Sequence, residues 1–127
     1  MADEAPILLV DDDEDIREAL ADVLGDKGFN VLTAANGLDG LRLLRSTGPR
    51  PAVILLDLMM PVMDGYTFLA EKRADPALAS IPVAIITAGN NVDRTRVDDS
   101  RVITKPFKIQ HLVNVIEQLR SNAGGCA

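Results

Sequence analysis

Short runs of β-branched and leucine residues alternate along this chain with longer stretches whose apolar positions recur at helical spacing, and that alternation prescribes an α/β fold. The clearest strand is at residues 53–56, Val-Ile-Leu-Leu, which is apolar without alternation. A strand wet on one face would alternate, so this one belongs inside a parallel sheet covered on both sides. Further strands are read at residues 7–10, 30–34, 82–86 and 102–104. The helices between them carry apolar stripes: Ile16, Leu20, Val23 and Leu24, then Leu38, Leu41 and Leu44, then Tyr66, Leu69 and Ala70. The last helix carries Ile109, Leu112, Val113, Ile116 and Leu119. Gly25 and Gly28 are placed to stop the first helix, Asn36 to cap the second and Asp75-Pro76 to end the third. Residues 89–100 offer only Val92 and Val97 at helical spacing, which predicts a short or frayed fourth helix.

Five parallel strands joined by right-handed crossovers make a doubly wound open sheet, expected in the flavodoxin-like order 2-1-3-4-5. The 127 residues make one domain, with a folded core at 6–120 and a flexible tail at 121–127. Hydrophobic residues at 47% supply a core, and the net charge of -6 repels nucleic-acid backbones and anionic membranes. No direct nucleic-acid binding is expected. No apolar run approaches the roughly 18 residues of a membrane span, and the acidic start at 1–6 is unlike a signal peptide, so a cytoplasmic protein without membrane insertion is expected. Cys126, the lone cysteine, can neither staple the fold nor build a metal cluster.

Sheets of this kind place ligands beyond the carboxyl ends of their strands. Asp11 and Asp12 follow the first strand, Asp57 the third, Thr87 the fourth and Lys105 the fifth, while the second ends in the unreactive Ala34-Ala35. In the expected order that silent strand is the edge, so the equipped strands are neighbours and their groups converge on one cleft. Three close carboxylates repel unless a cation neutralises them. Oxygen ligands without His or Cys favour a hard cation, and few protein ligands with room for water and a phosphate oxygen favour Mg²⁺. Lys105 then offers a point charge, Thr87 a hydroxyl donor, and Asp57 is the best placed nucleophile for phosphoryl transfer.

The stretches Leu8-Leu9-Val10-Asp11-Asp12-Asp13, Leu56-Asp57-Leu58-Met59-Met60-Pro61-Val62-Met63-Asp64-Gly65, Ile86-Thr87-Ala88 and Lys105-Pro106-Phe107 resemble the receiver domains of bacterial two-component response regulators, of the single-domain CheY-like kind. The resemblance runs over residues 6–120 and rests on four ordered motifs. It implies Asp57 as phosphoacceptor, Asp12 as direct metal ligand, Asp11 as an acidic partner acting partly through water, and Met59 as a backbone-carbonyl ligand. It further implies Thr87 as the switch hydroxyl, Lys105 as the phosphoryl-contacting lysine and a cis Lys105-Pro106 bond. A histidine kinase or histidine phosphotransfer protein is the implied donor, and the chain then either switches its binding to a downstream protein target or relays the phosphoryl group. The chain would be a signalling phosphoacceptor rather than a turnover enzyme, and a monomer or weak dimer. Met59 and Gly89 fall where this family tunes access of the hydrolysing water, and neither can orient water through its side chain, so phosphate loss slower than in a variant carrying Asn at 59 and Glu at 89 is expected.

Two departures stand out. Lys105 follows Thr87 by 18 positions, short of the family's usual spacing by about one helical turn, and Val102 stands where many members have Tyr or Phe. Both put the family's common output face, formed by the fourth helix, fifth strand and fifth helix, in question for this chain. Singly, the site residues have plainer readings: the acidic run as a helix cap, Thr87 as a turn residue, Lys105 as a surface lysine. His111 reads as an exposed helix residue, Met59, Met60 and Met63 as loop packing, and Arg94, Arg96 and Arg101 as solvated charge. Other functional classes fit less of the chain. A haloacid-dehalogenase-like phosphatase would use Asp11 and Asp13 but leaves Lys105-Pro106 unexplained, and a flavodoxin-like FMN carrier would need a phosphate loop where this chain is acidic. A degenerate receiver that binds partners without phosphorylation would not need the intact acidic cluster.

Overall fold

The structure is a computed structural model describing residues 5–46, 50–58, 60, 62–88, 92–97 and 101–125. Strands β1 (Ile7–Val10), β2 (Val31–Ala34), β3 (Val53–Asp57), β4 (Val83–Thr87) and β5 (Arg101–Thr104) alternate with helices α1 (Glu14–Asp26), α2 (Gly37–Arg45), α3 (Gly65–Ala74), α4 (Arg94–Val97) and α5 (Ile109–Gly125). The strands form one parallel sheet in the order β2-β1-β3-β4-β5, as expected. The sheet's interior strands β1, β3 and β4 are buried along their whole length, while edge strands β2 and β5 are partly exposed.

Because successive residues of a strand face opposite ways, the sheet builds two cores. Leu8, Val10, Ile54, Leu56 and Ile85 face α2 and α3 and pack with Leu41, Phe68 and Leu69. Ile7, Leu9, Leu55, Ala84 and Ile86 face α1 and α5 and pack with Leu24, Leu112 and Ile116. Each such fully buried aliphatic side chain is worth about 1.5–3 kcal/mol over its exposed state, so the strand ends that carry the polar groups are anchored from both faces.

Of the helix caps, Asn36 is as expected, and Asp13 and Asp64 emerge from the structure. Asp13 caps α1 by accepting from the amides of Asp15 and Ile16, Asn36 caps α2 by accepting from Asp39, and Asp64 caps α3 by accepting from Thr67. The structure corrects several expectations. Helix α1 runs through Gly25 and turns out only at Gly28, whose φ of +96° is the left-handed conformation glycine tolerates. An interior glycine costs about 1 kcal/mol, less than burial of the neighbouring Leu24 returns. Leu38 is 37% exposed rather than core. Gly40 instead turns inward, where an added Cβ would stand 3.1 Å from Val10 and 3.2 Å from Phe68, so α2 lies close on the sheet and its buried face is rotated. Val115 joins the buried face of α5 beside Leu112 and Ile116. Helix α5 continues to Gly125, because each residue added to a formed helix gains a bond and no breaker precedes Gly124. The fourth helix has four residues, short as expected. Among the described residues no helix is long and apolar enough to cross a membrane.

Candidate functional site

Register places the polar residues at the carboxyl edge of the sheet. Val10 pairs with Ala34 and Leu56, Asp57 stands opposite Ile86, and Thr87 opposite Thr104. Strands β3 and β4 are each one residue longer than expected at this end, so Asp57 and Thr87 are the last residues of their strands rather than the first beyond them. Two backbone bonds extend the ladder: the Asp11 amide donates to the Ala34 carbonyl at 3.2 Å and the Lys105 amide to the Thr87 carbonyl at 2.8 Å. Lys105 is therefore tied to the end of β4, and its peptide bond to Pro106 is cis.

Asp11, Asp57 and Thr87 are buried, at 2%, 9% and 2% exposure, whereas Asp12 is exposed. One carboxylate oxygen from each of Asp11, Asp12 and Asp57 falls within 4.8 Å of the others. Lys105 Nζ lies 4.0 Å from Asp11 Oδ2, and Asp11 Oδ1 accepts from the Asp13 amide at 2.9 Å. Burial pushes the Asp11 carboxyl above its ordinary value, the Asp13 amide and the Lys105 charge pull it back, and the Asp12 and Asp13 charges push it up again. A buried acid flanked by acids, with a lysine paired to it, is a donor set of hard oxygens that fits a small divalent cation.

The loop after Asp57 is shaped by close approach. The Gly65 amide donates to the Leu58 carbonyl at 3.0 Å. A Cβ on Gly65 would stand 2.7 Å from Leu58 Cα and 2.9 Å from the Asp57 carbonyl oxygen, so a side chain there would displace the strand end carrying Asp57. Val62 turns this loop with φ 67° and is 79% exposed, a conformation that costs an L residue about 1–2 kcal/mol.

Asp11, Asp12 and Asp57 meet in one cluster, Lys105 stands against it, and Thr87 ends the strand between Asp57 and Lys105. Met59 and Gly89 lie outside the described residues, as do Cys126 and the side chains of Arg94 and Arg96. Met60 is buried and Met63 half-buried against the core, His111 is exposed, and exposed Arg101 donates to Gln118 at 2.9 Å. Val102 is half-buried against the core that also holds Tyr66 and Val92. Sequence reasoning missed three residues. Arg17 Nη1 donates to the Asp11 carbonyl at 2.8 Å, the Tyr66 hydroxyl accepts from the Asp93 amide at 2.9 Å, and Gly65 permits the approach described above. Only Gly65 left a signal, in the Asp64-Gly65 pair. Arg17 and Tyr66 act through bonds to backbone, which periodicity does not encode.

Comparison with known proteins agrees with this geometry. Residues 7–117 match the family described as the response regulator receiver domain. The chain is 34% identical over 116 residues to sensor histidine kinase CheAY of Helicobacter pylori, covering 88% of this chain and 14% of that protein. It is 34% identical over 124 residues to response regulator Rre1 of Synechocystis sp., covering 94% of this chain and 53% of that protein. The chain thus spans about half or less of the length of these curated relatives. Its fold superposes with a TM-score of 0.84 and 32% identity on the signal receiver domain of a signal transduction histidine kinase from Syntrophus aciditrophicus, covering 94% of this chain and 92% of that one. An acidic cluster at the switch edge of a 2-1-3-4-5 sheet, faced by the lysine that follows β5, together with a family match spanning that whole sheet, makes this chain a member of the response regulator receiver domain family of two-component systems.

Proposed function

We propose that the chain accepts a phosphoryl group on Asp57 from the phosphohistidine of a histidine kinase or histidine phosphotransfer protein. A carboxylate oxygen of Asp57 attacks phosphorus in line, an O–P bond forms as the N–P bond breaks, and the electron pair leaves with the imidazole nitrogen. Asp11, Asp12, Asp57 and the Met59 carbonyl would hold Mg²⁺, which when bound cancels charge between the acids and the incoming phosphoryl oxygens. Lys105 supplies a fixed positive charge to those oxygens, and the Thr87 hydroxyl donates to one of them. The chain would catalyse only its own phosphorylation and dephosphorylation, and the phosphorylated form either presents a changed surface to a downstream protein or relays the phosphoryl group onward.

The observation that carries this reading is the convergence of Asp11, Asp12 and Asp57 oxygens within 4.8 Å beside Lys105. The charge of -6 supports a protein partner over direct nucleic-acid contact. As proposals of the same kind, the chain is cytoplasmic, is a monomer or weak dimer, and loses its phosphate slowly. A variant carrying Asn at 59 and Glu at 89, able to orient water, should release phosphate faster in a phosphate-release assay. The central test is incubation with acetyl phosphate or phosphoramidate plus Mg²⁺, followed by intact mass. A single phosphate adduct that Asp57→Asn lacks is the expected result. No adduct, or turnover of an unrelated phosphoester as by a phosphatase, would overturn the reading.

A further inference from the structure

We propose that Arg17 is a positioning residue for the metal-binding acids, acting through the peptide that joins Asp11 to Asp12; the inference rests on the Mg²⁺ reading above. Only three residues separate β1 from α1, and two of them are these acids. Asp11 lies beyond the last residue of β1 paired to β3, so the sheet no longer dictates its carbonyl. That carbonyl accepts from Arg17 Nη1 at 2.8 Å, a side chain reaching back over the first turn of α1. The Arg17 amide donates at the same time to the Asp13 carbonyl at 2.9 Å, so both ends of Arg17 are tied to the turn it spans.

A peptide unit is planar, and its carbonyl and the next amide point in opposite directions. Holding the Asp11 carbonyl therefore sets the plane from which Asp12 Cα projects. The Asp11 side chain has its own holders, the Asp13 amide and Lys105. Asp12 is different: among the described residues no hydrogen bond or salt bridge engages its exposed carboxylate. Its place within 4.8 Å of the Asp11 and Asp57 oxygens is thus decided by its backbone, and Arg17 holds that backbone. Residues that orient metal ligands from outside the ligand set typically change metal affinity by about 10-fold or more when removed.

Charge and positioning predict opposite signs. Removing a cation near an acidic cluster strengthens Mg²⁺ binding by electrostatics alone, whereas losing the brace weakens it. The experiment is calorimetric Mg²⁺ titration of the unphosphorylated protein, with thermal melts of the same samples in chelator. Arg17→Met keeps the stem and removes the donor, and should bind Mg²⁺ about 10-fold more weakly. Arg17→Lys retains one donor and should fall between the two, which keeps the test available if the methionine variant does not fold. Arg45→Met removes a guanidinium from the remote Asp75 and Glu71 pairs and should bind Mg²⁺ as the parent does. Unchanged or tighter binding in both Arg17 variants, or equal weakening in Arg45→Met, overturns the brace. If the parent protein takes up no Mg²⁺, the metal reading itself falls.

Discussion

Lys105 Nζ lies 4.0 Å from Asp11 Oδ2, although β3 and β4 stand between the strands that carry them. Three strand spacings separate β1 from β5, on the order of 14 Å, so the lysine reaches back across the strand ends bearing Thr87 and Asp57.

The burial that raises the Asp11 carboxyl has a cost in the metal-free fold. An acid whose folded value lies above its unfolded value binds more protons when native, so stability falls as pH rises between the two values and stays lost above them. Asp11→Asn should therefore melt higher than the parent in chelator at neutral pH. The gain should shrink as pH falls through the raised value towards the ordinary carboxylate range. Thermal melts across that range check it, and a lower melt at neutral pH would contradict it.

Lys105→Met removes the cation paired with the Asp11 carboxylate at 4.0 Å. Mg²⁺ should bind more tightly, by several-fold if the interaction is worth about 1 kcal/mol at this partly exposed position. Adduct formation from acetyl phosphate should slow in the same variant. Calorimetry and timed intact-mass measurements read the two effects separately.

At Gly65 the new methyl of an alanine would meet Leu58 Cα and the Asp57 carbonyl. Gly65→Ala should lose about 1–3 kcal/mol through overpacking, read as a lower urea midpoint with unchanged slope. Because the displaced atoms belong to the strand end of Asp57, phosphorylation should slow more than the stability loss alone explains.

The Tyr66 hydroxyl ties the start of α3 to the segment before α4 through the Asp93 amide. Tyr66→Phe keeps the ring and deletes that acceptor. Global stability should change by less than about 1 kcal/mol, while the Asp93 amide should exchange faster with deuterium. An unchanged exchange rate would show that other bonds hold this segment.

Much of the molecule was legible in the residue pattern. The apolar run at 53–56 and the capping residue Asn36 speak for local structure, where periodicity and short-range hydrogen bonding decide. The unreactive end of the second strand located the cleft. Where the pattern misled, packing had overridden it. Gly40 let α2 roll against Val10 and Phe68, leaving Leu38 partly exposed, and Leu24 carried α1 through Gly25.

What the amino-acid order determined alone was the succession of strands and helices and which reactive side chains stand at strand ends, because these follow from spacing along the chain. What only the tertiary structure decided was how those ends are held. The Arg17 bond to the Asp11 carbonyl, the Tyr66 bond to the Asp93 amide and the approach of Gly65 to Asp57 all join a side chain or Cα to backbone that comes near only after folding. Backbone groups are the same at every position, so no residue pattern announces which of them a distant side chain will reach.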